Sequence, residues 1–315
     1  MNATRLLATI AAATIAMAAI TTAAFGHVER SSTGPTRRPT PASSRRPAER
    51  CRSRARCDAR RLKRQNRAFA KRCEFKSIQA AIKRSRNNDR VIIMPGKYLE
   101  SKSRAKQTND PKCAQYKEDS DDGQGAATYG YQVKCPNDQN LIYLQGRALT
   151  KEPVPNPPPE DRHGIPDEGR CVRCKLQIEG TGAKPEDVVI DLAKDPHAKL
   201  KGPAKPLKEV GLRVDRGDGI VIRNLTAAHA AEHGIYIHET DGYLMQRVKF
   251  FYNKEYGGLM FTSDHGLTTG CDGVGQGDSA IYPGASPETV EQTNEPRRRV
   301  NQTITRCDIH HNTLG

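Results

Sequence analysis

Hydrophobic residues in the second half of the chain come in dashes of two to five, broken by Gly and by charge. The stretch "DGYLMQRVKFFYNKEYGGLMF" (241–261) is representative. No dash sustains the three- and four-residue spacing of an amphipathic helix. None is followed by an Asn-Gly hairpin signal. The dashes recur. "GLRV" (211–214), "GIYI" (234–237) and "GLMF" (258–261) begin with glycines 23 and then 24 residues apart. "DGIVIRNLTA", "DGYLMQRVKF" and "HGLTTGCDGV" repeat in the same phase, with Gly219, Gly242 and Gly266 near their starts. "TITRCDIHHN" (303–312) rejoins the register after an insertion at about 284–300. Ile222, Met245 and Ile304 then coincide, as do Leu225, Val248, Cys271 and Cys307, and then Ala227, Phe250 and Ile309.

Such a period is too short for a pair of helices or a four-stranded blade. At roughly 3.3 Å per residue it suits one coil of two or three short strands joined by turns, each strand stacked on its copy in the next coil. Alternate residues then point inward. Leu212, Val214, Ile235, Ile237, Leu259 and Phe261 are expected inside, with Arg213, Tyr236 and Met260 outside. A leucine-rich repeat has a similar period, but its dense L-x-x-L-x-L frame is absent. Cys271 and Cys307 share an interior position. Stacked strands lie about 4.8 Å apart, and a disulfide spans Cα separations of about 4.4–6.8 Å. A bond across coils and a reduced pair packed as small core residues both fit. A stack also needs caps. The "FKSIQAAIKRSRNNDRVIIMPGKYLE" stretch (75–100) predicts one helix feeding one strand, a candidate for the N-terminal cap.

These features together resemble the right-handed parallel β-helix family, the pectate-lyase-like superfold. The carriers are "IQAAIKRSRNNDRVIIMPGKY" and the "GIYI…DGYLMQRVKFFYN" coils, so the resemblance covers about 75–100 and 171–315. It implies an all-β fold: a right-handed parallel β-helix with an N-terminal capping helix. Members of that family include polysaccharide lyases, glycoside hydrolases, epimerases and non-catalytic surface proteins, so fold alone does not fix function.

The rest of the chain is of a different character. Residues 6–25 form an uncharged run behind Arg5, which reads as a secretory signal peptide over 1–26. An uncleaved membrane anchor is the alternative, since the run is just long enough to span. Residues 27–74 are rich in Pro, Ser and Arg and are expected to be a disordered basic linker, although 51–73 has a thin helical pattern. The net charge of +15 sits mainly here: residues 27–112 carry roughly 26 Lys and Arg against 7 Asp and Glu. The linker's expected contacts are an anionic wall polymer or membrane surface. The absence of aromatics among its charges before Phe69 argues against nucleic acid. The domain proper is placed at 75–315, with a polar insertion at about 101–170 and a monomeric state. The sequence stops at "HHNTLG", mid-coil, which predicts that further coils follow.

Nine cysteines in an exported chain point to disulfides, with one thiol left over. Besides Cys271 and Cys307, the candidates are Cys171 with Cys174, and Cys113 with Cys135 across the insertion.

Candidate chemistry lies on the outer face of the stack. Register places Asp215 beside His238, with Arg213 and Tyr236 on the neighbouring row. A carboxylate, an imidazole, a guanidinium and a phenol together are able to abstract a proton, stabilise an oxyanion and bind a uronate. A solvated polar face with an Asp–His pair is the plainer reading. Asp264, His265 and Asp278 lie in turn-rich stretches and are candidates for a general acid and base. Calcium ligation is the other reading of these three, but calcium would want more clustered carboxylates than are visible, so no motif supports it and no cofactor is assigned. His310 and His311 are adjacent, and on a strand would point to opposite faces. The function expected is a secreted protein that binds, and in its enzymatic form cleaves, an extracellular polysaccharide by lyase or glycoside hydrolase chemistry. A non-catalytic cell-surface or wall protein is the alternative.

Overall fold

The computed structural model describes residues 26–29, 54–100, 135–148, 169–284 and 301–314. Its strands are β1 (Gly26–Glu29), β2 (Arg90–Ile93), β3 (Gly96–Tyr98), β4 (Asn140–Gln145), β5 (Gln177–Gly180), β6 (Val188–Asp191), β7 (Val210–Asp215) and β8 (Ile220–Ala228). They continue with β9 (Ile235–His238), β10 (Asp241–Phe251), β11 (Gly258–Phe261), β12 (Asp264–Thr269), β13 (Asp272–Val274), β14 (Ile281–Gly284), β15 (Thr303–Thr305) and β16 (Asp308–His310). Two helices, α1 (Arg54–Ala70) and α2 (Ile78–Arg84), precede β2.

The protein is mostly parallel β structure in two sheets, an arrangement compatible with a parallel β-helix. One sheet runs β4-β7-β9-β11-β14. The other holds two ladders, β2-β5-β8-β10-β12-β15 and β3-β6-β8-β10-β13-β16. The strands β8 and β10 belong to both ladders because each bends midway, at Asn224 and Arg247, where φ is 55° and 53°. Among these strands only β1 pairs antiparallel, along β2.

From β7 to β14 the repeat is 23 residues at every step. Ile220 pairs with Tyr243, and Tyr243 with Gly266. Left-handed backbone recurs at the same four corners of each unit: 216, 239 and 262; 219, 242 and 265; 224, 247, 270 and 306; 229, 252, 275 and 311. Chain direction changes at these points, which is why the apolar dashes are short.

Inward columns form one apolar core. Ile178, Ile222 and Met245 stack, as do Ile190, Ala227 and Phe250, and Ile142, Leu212 and Ile235, and all are fully buried. The helix α2 adds Ile78, Ala81 and Ile82 to this core. Ser77 caps it by accepting from the Ala80 amide, and Glu100 accepts from the Ile78 and Gln79 amides. The Gln79 side-chain amide meets both main-chain groups of Tyr143 on the outermost strand of its sheet, at 2.7 and 3.0 Å. That pairing occupies donors and acceptors an edge strand would leave open.

Two ladders of polar side chains, all buried except the half-buried Asn312, tie consecutive units at the corners. The amide of Ala230 donates to Asn253, that of Asn253 to Gln276 and that of Gln276 to Asn312. The amide of Gly217 donates to Thr240, and that of Thr240 to Ser263. Each side chain satisfies a main-chain donor of the unit before it, as buried amides require.

The third tetrad differs from the sequence reading. Leu259 pairs with Tyr236 and Met260 with Ile237. Met260 therefore lies in the core, Leu259 stands on the outer row, and Phe261 is only half-buried beside His238. The tetrad starts at Gly257, the true equivalent of Gly211 and Gly234. A Cβ at Gly211, Gly234 or Gly257 would sit 2.4, 2.7 or 2.5 Å from the carbonyl oxygen of the next unit. This column is glycine because the backbones touch. Likewise His265, at φ 50°, holds the corner taken by Gly242.

Two elements occupy parts of the span expected to be a linker: β1, which starts one residue before it at Gly26, and the helix α1, whose Asn66 donates to the Thr181 carbonyl at 3.0 Å. Residues 1–25, linker residues 30–53, most of the insertion at 101–170 and the later insertion from 285 to 300 lie outside the described residues.

Candidate functional site

The outer face of the β4-β7-β9-β11-β14 sheet carries two rows. One reads Tyr143, Arg213, Tyr236, Leu259, Tyr282; the other reads Gln145, Asp215, His238, Phe261, Gly284. The four residues singled out from register thus meet. Arg213 Nε donates to Asp215 Oδ1 at 2.8 Å, and its guanidinium lies 4.4 Å from the Tyr236 ring centroid. Asp215 Oδ1 is 3.4 Å from His238 Nδ1, and Glu239 Oε1 is 3.8 Å from His238 Nε2.

Burial divides their roles. Asp215 is fully buried and the Arg213 side chain is 6% exposed, while His238 keeps 16% of its side chain open. Asp215 therefore reaches a ligand only through His238. Burial pushes its carboxyl up, but the Arg213 charge and the nearby His238 imidazole outweigh this and hold it below the usual carboxylate range. Burial pushes the Tyr236 phenol up to about 12, so it stays a hydrogen-bond donor at neutral pH.

Beside this patch runs a column that register reasoning did not assemble. Glu209, Glu232, Glu255 and Asp278 occupy one corner position of four consecutive units. The amide of Glu232 donates to the Glu209 carbonyl, that of Glu255 to Glu232 and that of Asp278 to Glu255, at 2.9–3.1 Å. Partial burial and the flanking carboxylates of Glu209 and Glu255 push Glu232 up to about 7. His233 is packed against them, stacked on Tyr256 at 5.3 Å and edge-on to Tyr236 at 5.2 Å. Burial, and then the Arg213 charge, push His233 down to about 3. Tyr256 in turn stacks on Tyr282 at 4.9 Å, and Tyr282 is 40% exposed. The signal was in the sequence: stepping back by 23 from Asp278 gives Glu255, Glu232 and Glu209.

The other candidates do not assemble. Asp264 and His265 open β12, with Asp264 buried and His265 Nδ1 2.5 Å from Asp241 Oδ1. Asp278 stands at a different corner of the unit, bonded by Ser279, so the three do not form one acid–base set. His310 and His311 do not diverge as a regular strand would require. His311 has φ 55°, and the two Nδ1 atoms approach to 2.6 Å.

Cys271 is bonded to Cys307 across units with a Cα separation of 4.4 Å, and Cys171 to Cys174. Cys135 is also disulfide-bonded, while Cys113 lies outside the described residues. Cys73 is free.

Comparison with known proteins returns no match among family models, curated proteins or solved structures.

Proposed function

We propose that the protein is a secreted parallel β-helix, right-handed and capped by α2, that binds an extracellular polysaccharide along the outer face of the β4-β7-β9-β11-β14 sheet. The observation that carries the reading is the aromatic stripe Tyr256–Tyr282 beside the Arg213–Asp215–Tyr236–His238 patch. Stacked rings offer apolar faces to sugar rings, and their phenols offer polar tips. The Arg213 guanidinium supplies positive charge beneath this face, and the phenols supply hydrogen bonds, both suited to an acidic sugar. In the enzymatic form His238 is the general base, oriented by Asp215 behind it, and Tyr236 donates to developing oxyanion charge. The Cys271–Cys307 and Cys171–Cys174 disulfides support an oxidising compartment and hence export.

The full burial of Asp215 and near-burial of Arg213 favour a second reading. There the patch is a structural ion network, and the protein binds polymer at a cell surface without cutting it.

Affinity electrophoresis against a panel of neutral and acidic polysaccharides tests binding. Retardation by at least one acidic polymer, relieved in Tyr282→Ala, is expected; no retardation by any polymer sinks the reading. Release of reducing ends or unsaturated uronate, lost in His238→Ala with binding kept, marks the enzyme. Binding without release marks the surface protein.

A further inference from the structure

Outside the proposed catalytic patch, the acidic column holds a second constellation. Glu232, His233 and Glu255 each place one ligand atom within 4.8 Å of the other two. His233 Nδ1 is 3.5 Å from Glu255 Oε2, and Nε2 is 3.9 Å from Glu232 Oε2. The His233 side chain is only 9% exposed, and its buried Nδ1 has no hydrogen-bond partner. Leaving such an atom unpaired is costly. Its ring is held in place by Tyr256 on one face and Tyr236 at the edge. Glu232 and Glu255 sit on stacked positions, where like charges repel, and no Lys or Arg among the described residues makes an ion pair with either. Both keep over two-fifths of their side chains exposed, so the cluster opens to solvent.

We propose that Glu232, His233 and Glu255 bind a divalent first-row transition cation of the Zn²⁺ type. One imidazole nitrogen and two carboxylate oxygens make a mixed donor set of the kind Zn²⁺ takes, with water at a fourth position. An all-oxygen cage would instead suit Ca²⁺ or Mg²⁺. The stacked rings orient the imidazole as outer-shell partners do in metal sites. The cation would also offset the repulsion between neighbouring carboxylates and tie two consecutive units together at their corner.

Isothermal titration of the full, EDTA-stripped chain with ZnCl₂, MnCl₂ and CaCl₂ tests this without reference to any activity. One equivalent of Zn²⁺ is expected to bind more tightly than Ca²⁺. His233→Gln and Glu255→Gln should each weaken it by at least about tenfold, and Glu255 is exposed enough that its variant keeps the fold. The exposed His310–His311 pair is the rival zinc ligand, so the double variant His310→Ala/His311→Ala should leave that equivalent unchanged. Absence of Zn²⁺ binding, preference for Ca²⁺, or loss of the equivalent in the His310/His311 variant but not in Glu255→Gln would each overturn the proposal.

Discussion

Arg213 and Asp215 illustrate how a single ion pair shapes the outer face. Both are buried, and Arg213 Nε pairs with Asp215 Oδ1 at 2.8 Å. Asp215→Asn removes the negative partner and leaves the guanidinium uncompensated, which should cost about 3–5 kcal/mol at neutral pH. The depressed carboxyl of Asp215 sets the pH dependence. Its contribution is fully present above the unfolded value of about 3.9 and is lost as pH falls through the lower folded value. Urea unfolding at pH 7 and at steps below pH 4 should show the gap between wild type and Asp215→Asn closing only in that acid window. A gap that stays constant down to pH 2.5 would mean the pair is not the source. At this scale the neighbours were legible in the sequence, because a register of 23 places Arg213 over Tyr236 and Asp215 over His238. Their burial was not legible, since alternation marks these positions as outward and only the packing above them closes them off.

Among elements, β11 tests the repeat. Its two leading glycines make the sequence readable in two phases, and the backbone contact at Gly257 selects one. Met260→Ala should then cost about 2–5 kcal/mol as a cavity in the core. Gly257→Ala should cost about 1–3 kcal/mol through overpacking, because a Cβ there would lie 2.5 Å from the Ala280 carbonyl oxygen and 2.6 Å from the Phe250 Cβ. Thermal and denaturant melts measure both. A neutral Gly257→Ala would return the tetrad to Gly258. The polar ladders Asn253–Gln276–Asn312 and Thr240–Ser263 stayed hidden at this scale. Asn, Gln, Thr and Ser between apolar dashes read as loop residues, and nothing local says that their oxygens face the amides of a neighbouring unit.

For the whole molecule, the Cys271–Cys307 bond closes a 36-residue separation between units. Chain entropy puts the cost of Cys271→Ser at about 3–4 kcal/mol, to be read as a lower melting temperature with unchanged secondary structure. Equal stability with and without the bond would show that stacking alone fixes the last described unit. The helix α1 carries a different lesson. Its charge and thin apolar face placed it in an expected disordered linker, yet Asn66 reaches a turn 115 residues away. Long-range contacts of that kind override local propensity.

The sequence by itself determined the period, the strand class, the stacking of Arg213 on Tyr236 and of Asp215 on His238, and the shared position of Cys271 and Cys307, because stacked strands repeat side-chain positions at a fixed interval. Only the tertiary structure decided the phase of the third tetrad, the burial of Asp215 and the convergence of His233 with two glutamates. Those depend on how close backbones approach and which side chains lose water, and neither quantity is written in the order of residues along one strand.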